Sequence, residues 1–122
     1  AVGNFTLQRA DRAMIYVKRL MRQNPKNIDL KFMYAYLMQA REETGGFMMT
    51  MEEIYETLSA RRKKRPSLMR DATFVEQYLK SGMYFMPVDR FEDELHRAKS
   101  VLKVQTYTEI MIFQTLRHRA QE

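Results

Sequence analysis

The chain has 122 residues, 45% of them hydrophobic, and 21 Lys and Arg against 15 Asp and Glu, for a net charge of +6. That length and apolar content suit a single domain with a real core and exclude wholesale disorder, while no run of about 18 apolar residues or signal-peptide layout marks a membrane segment. The absence of cysteine excludes disulfides and thiolate chemistry, and the basic excess favours a polyanionic partner.

Asn4-Phe5-Thr6-Leu7-Gln8 alternates polar and apolar residues, which predicts a half-buried strand with Phe5 and Leu7 inward. Its outward side chains Asn4, Thr6 and Gln8 can donate and accept hydrogen bonds, as base edges in a groove require, although a plain solvated face offers the same chemistry. Asp11 to about Gln23 predicts a helix with the apolar stripe Ala13, Val17 and Leu20. Arg12, Lys18, Arg19 and Arg22 lie off that stripe, and Asp11 is the lone acid between Arg9 and Lys26, so the face suits phosphate as well as water. Asn24-Pro25-Lys26-Asn27 forms a turn; Asn27 is the expected N-cap, with Asp29 complementing the helix dipole. Ile28, Phe32 and Ala35 mark the next stripe, in a helix expected to stop near Glu43 at Thr44-Gly45-Gly46.

Residues 44–81 read as a helical, basic linker between two halves, 1–43 and 82–122. Thr50 and Glu53 have capping-box spacing ahead of the stripe Met51, Ile54, Tyr55 and Leu58. Arg61, Arg62, Lys63, Lys64 and Arg65 follow; five adjacent cations repel one another, and Pro66 places the run at a helix end or loop. A helix near residues 67–80 carries Phe74, Val75, Tyr78 and Leu79 on one side. Met83-Tyr84-Phe85-Met86, between Gly82 and Pro87, predicts a second short strand. Asp89 with Glu92, and Thr106 with Glu109, open two further expected helices with the stripes Phe91, Leu95, Ala98, Leu102 and Ile110, Phe113, Leu116. The 11 methionines are expected to fill gaps between helices, with Met21 and Met38 facing inward.

Asp11 and Arg12 stand 78 positions before Asp89 and Arg90, and the apolar pattern persists across that offset, which indicates an internal duplication. Strand, helix, turn, helix, with an N-F-T-L-Q strand, resembles the ribbon-helix-helix DNA-binding family typified by the Arc repressor. The resemblance implies a mainly α fold with one two-stranded antiparallel β-ribbon, 4–8 against 83–86, closed within one chain as a monomeric pseudo-dimer. By position it implies DNA contacts from Asn4, Thr6, Gln8, Arg9, Tyr84 and Met86 around the ribbon. Lys26, Asn27, Ile28 and Thr106 would contact DNA at helix N-termini, beside the cations Arg61, Arg62, Lys63, Lys64 and Arg65. Repeat two departs from the pattern: Tyr84 and Met86 are poor base readers, and Asp89, Glu92, Asp93 and Glu94 form an anionic cluster absent from repeat one. Single-chain tandems of this kind in T-DNA transfer further imply a bacterial cytoplasmic protein acting on double-stranded DNA beside a relaxase or other processing protein.

Catalytic chemistry has little support. His96 and His118 are the only histidines, no metal-ligand spacing occurs, and adjacent Glu92, Asp93 and Glu94 point in different directions on a helix. No enzyme activity, cofactor or metal is expected. A helical protein–protein adaptor with a Met-rich face remains a rival. So does a peripheral membrane binder, in which the polybasic run sits beside an amphipathic Met51–Leu58 helix.

Overall fold

A computed structural model describes the backbone of residues 2–121 and the side chains of residues 8–117. Every regular element among them is helical: α1 (Val2–Gln23), α2 (Ile28–Ala40), α3 (Thr44–Lys64), α4 (Ala72–Gly82), α5 (Val88–Arg97) and α6 (Val104–Gln121). Two short 3-10 segments, Pro66–Arg70 and Ala98–Ser100, join them. The chain divides into two units, Ala1–Ile54 and Tyr55–Glu122, with the division inside α3.

In the first unit α1 buries Ala10, Met14 and Val17, one stripe at helical spacing, and packs on α2, which buries Ile28, Leu30, Phe32 and Ala35. The turn between them is fixed by polar side chains. Asn24 donates from both its backbone N–H and its Nδ2 to the Leu20 carbonyl, at 2.9 and 3.1 Å, and Asn27 Oδ1 accepts the Leu30 N–H at 3.2 Å. Asn27 is therefore the N-cap the sequence implies. At the other end of α2, Glu42 adopts φ 61° and the N–H groups of Glu42 and Glu43 return to the carbonyls of Gln39 and Met38, a Schellman closure. The glycine pair does not stop this helix; it lies in the first turn of α3. A Cβ on Gly46 would stand 2.6 Å from Met38 Sδ, so the missing side chain lets α3 approach α2. Thr50 Oγ1 donates back to the Gly46 carbonyl at 2.8 Å from inside α3, so the Thr50–Glu53 capping box does not form.

In the second unit Pro66 opens the 3-10 segment and Asp71 caps α4, accepting the Phe74 N–H at 3.0 Å. The expected stripes hold here: Leu58, Phe74, Val75, Tyr78, Leu79, Phe91, Leu95, Ala98, Leu102 and Ile110 are buried. Phe113 and Leu116 are not; they are 55% and 57% exposed. Pro87, not Asp89, precedes α5, and α6 begins at Val104, so neither the Asp89–Glu92 nor the Thr106–Glu109 pair is a capping box. Met14, Met51, Met83 and Met86 are buried core residues, Met21 and Met38 are half-buried, and Met33, Met49 and Met111 face solvent.

The β-ribbon expected from the sequence does not exist among the described residues, and the fold is not a ribbon-helix-helix pseudo-dimer. Residues 4–8 continue α1, because no Gly or Pro between them and Asp11 breaks the helix and five alternating residues are too few to override its propagation. Residues 83–86 form a turn that closes onto α4, with the Phe85 and Met86 N–H groups donating to the Gly82 carbonyl at 3.0 and 2.8 Å. Those donors are spent locally and cannot pair a second strand. The duplication also fails at the level of elements: α1 and α2 have 22 and 13 residues, whereas α5 and α6 have 10 and 18.

Candidate nucleic-acid interface

The buried stripe of α3 runs through Phe47, Met51, Ile54 and Leu58, and four residues further along the same face stands Arg62. A cation at a core-facing position needs partners, and Arg62 has them: Nη1 lies 2.9 Å from Glu94 Oε1 and 3.0 Å from the Tyr78 hydroxyl. The guanidinium also covers the Tyr78 ring at 5.2 Å. Partial burial opposes its charge, but the bonds to Glu94 and Tyr78 outweigh that cost and raise its pKa further.

With Arg62 turned inward, Arg61, Lys63, Lys64 and Arg65 are all exposed, and none has an ion-pair partner among the described residues. They occupy the last turn of α3 and the residue after it, where the carbonyl end of the helix dipole favours positive charge. Arg70, at the end of the following 3-10 segment, adds another exposed cation that the hydrophobic pattern did not single out. Its only signal in the sequence is a position five residues past the run. Arg62 is thus not a phosphate ligand of the cluster; it anchors the helix end that presents the other four.

The remaining sequence candidates scatter. The side chains of Asn4 and Thr6 lie outside the described residues. Gln8 and Arg9 are exposed on α1. Lys26 and Asn27 are exposed at the turn, but Ile28 is buried at 7%. The α2 N-terminus is a poor phosphate site, since Asn27 occupies the Leu30 N–H and Asp29 sets a carboxylate in the first turn. Met86 is buried and Thr106 half-buried. Tyr84 lies under the Arg117 guanidinium at 4.8 Å, while Arg117 donates to the carbonyls of Met83 and Tyr84. The contacts of Tyr84 with Arg117 hold the α4–α5 turn. No family model, curated protein or solved structure matches the chain.

On α1, Arg12, Lys18, Arg19 and Arg22 are exposed with Ile15 and Tyr16 between them. Asp11, the one acid nearby, is 3.1 Å from Arg41 on α2, which leaves those four cations without an ion pair among the described residues. No group of three or more His, Cys, Asp or Glu among the described residues could hold a metal ion. No helix among them is long and apolar enough to cross a membrane.

Proposed function

We propose that the chain binds double-stranded DNA through its phosphate backbone, with Arg61, Lys63, Lys64 and Arg65 at the end of α3 as the principal contacts. The observation that carries this reading is four exposed cations within five residues, without an ion pair among the described residues and held on a helix end by the inward Arg62–Glu94–Tyr78 cluster. Such an array neutralises phosphates and releases condensed counterions whatever the base sequence. Contacts from such an array go to phosphate and carry no base information, so the binding proposed is sequence-independent. Nothing in the cationic segment selects a relaxase.

The polybasic membrane reading loses its apolar half, because Met51, Ile54 and Leu58 are 0%, 0% and 1% exposed and have no surface to insert into lipid. Titration of a random duplex at several salt concentrations tests the proposal, comparing wild type with Arg61, Lys63, Lys64 and Arg65 all changed to Gln. The slope of log affinity against log salt should fall by roughly 3–4, about 0.9 for each phosphate that is no longer neutralised. An unchanged slope, or binding to anionic vesicles with none to duplex, removes the DNA assignment from this segment.

A further inference from the structure

The outward stripe of α1 combines positive charge with an open aromatic ring. At about 100° per residue, Arg12, Tyr16 and Arg19 fall within about 60° of one another, on the side opposite the buried Ala10, Met14 and Val17. Along the helix axis Tyr16 stands about 6 Å from Arg12 and about 4.5 Å from Arg19. Arg22 extends the stripe by a further turn, on the side of Ile15. Tyr16 is 59% exposed, and among the described residues its ring has no aromatic, cation or hydrogen-bond partner. Tyr36, Tyr55, Tyr78, Tyr84 and Tyr107, by contrast, each have another ring or a cation against them. The three arginines have no ion pair among the described residues, since Asp11 is engaged by Arg41 and no carboxylate lies between Asp11 and Asp29.

We infer that this face binds single-stranded nucleic acid, with Tyr16 as the stacking platform and Arg12, Arg19 and Arg22 on the phosphates. A single strand supplies both partners the stripe lacks: anions for three uncompensated cations and an unstacked base for an uncovered ring. A duplex supplies only the first, because its bases are stacked on one another inside the helix. An acidic peptide likewise answers the charge and leaves the ring face to water. A lipid surface fits less well. Ile15 and Tyr16 are about 100° apart with Arg19 between them, so there is no continuous apolar stripe to insert. Every base has a π-face, so recognition by such a platform is sequence-tolerant. The site lies in the first unit and does not rest on the duplex contacts of the α3 end.

The chain contains no tryptophan, so Tyr16→Trp places a single indole on the stripe, and its emission reports stacking. The full chain is used with Arg61, Lys63, Lys64 and Arg65 changed to Gln, which separates this site from the α3 segment. The probe is oligothymidylate of about 12 nucleotides, within the site sizes of single-strand binders. Saturable quenching of the indole is expected, whereas Tyr36→Trp on α2 should not respond. By anisotropy of the labelled probe, Tyr16→Ala should weaken binding roughly 5- to 150-fold and Tyr16→Phe much less, with unchanged helical circular dichroism. Changing Arg12, Arg19 and Arg22 to Gln should lower the slope of log affinity against log salt by about 2, at about 0.7 for each phosphate of a single strand. Three results overturn the proposal: no quenching by oligothymidylate, equal quenching at Tyr36→Trp, or equal quenching by a duplex of the same length. Blue-shifted emission on phosphatidylserine vesicles, with no response to oligothymidylate, also overturns it and assigns the face to lipid. Failure of the wild type to bind duplex would remove the α3 reading and leave this one standing, so the two fail separately.

Discussion

Arg62 is the residue on which the second unit and the cationic segment both depend. Its side chain is 29% exposed and that of Glu94 10%, so the pair is largely out of water, where removing one partner strands the other's charge. Arg62→Met should lower stability by about 2–3 kcal/mol, below the fully buried range because solvent still reaches the guanidinium. Adding Glu94→Leu to that variant should recover most of the loss, and urea unfolding of the two variants and wild type measures both effects. Beside this pair, Tyr55 packs 5.7 Å from Tyr78 and 5.8 Å from Phe85, ring to ring. Burial first, and then the neighbouring Tyr78, push its hydroxyl above the ordinary 10.0, against an opposing pull from Arg90. A raised pKa means the folded state favours the neutral phenol. The stability this confers is complete below pH 10 and is lost as the pH rises through the higher folded value. Tyr55→Phe should therefore flatten the alkaline fall in melting temperature; an alkaline limb identical to wild type would show that Tyr55 does not contribute to it.

At the scale of elements, α2 shows how caps define a helix more narrowly than a hydrophobic stripe does. Asn27→Ala removes the acceptor for the Leu30 N–H and should cost about 1 kcal/mol. Glu42 is, among the described residues, the one non-glycine with positive φ, and it occupies the position where glycine is favoured. Glu42→Gly should stabilise the chain by about 0.5–1 kcal/mol. The two helical glycines of α3 should respond differently. Gly45 has nothing within 4 Å of a new Cβ, so Gly45→Ala should add roughly 0.5–1 kcal/mol by limiting the unfolded chain. At Gly46 the same change must push Met38 aside and should gain less. Thermal denaturation of these four variants decides the order.

For the whole molecule, charge is unevenly divided. The first unit has eight cations against six carboxylates, and the second 13 against nine, so +4 of the +6 belongs to the unit that holds the α3 cluster. If four phosphates are neutralised there, duplex affinity should drop about 100-fold between 50 and 200 mM salt. The cations of α1 are spread over 11 residues, from Arg12 to Arg22, whereas those of the α3 end fall within five. Changing Arg12, Lys18, Arg19 and Arg22 to Gln should therefore lower the salt slope by less than the α3 variant does. An equal or larger fall would move the principal interface to the first unit.

The amino-acid sequence by itself determined which residues are apolar together at helical spacing, and this was enough to place Phe91, Leu95, Ala98 and Leu102, Phe74 to Leu79, and the Asn27 cap. Stripe spacing and N-cap chemistry are local, so they survive whatever the helices pack against. The ends of elements were less legible. Five alternating residues at 4–8 and four apolar ones at 83–86 satisfy a strand pattern, yet a strand exists only if a partner accepts its hydrogen bonds, and both segments bond within helix or turn. Only the tertiary structure decided that Gly46 admits Met38 and that the glycine pair does not end α2. It decided too that Arg62, alone of five adjacent cations, turns inward, because Glu94 and Tyr78 reach it from 32 and 16 residues away. It likewise left Phe113 and Leu116 outside on α6: apolar and polar residues are interleaved from Val104 to Leu116, so helical periodicity names no single buried side, and packing of neighbouring elements chose Ile110.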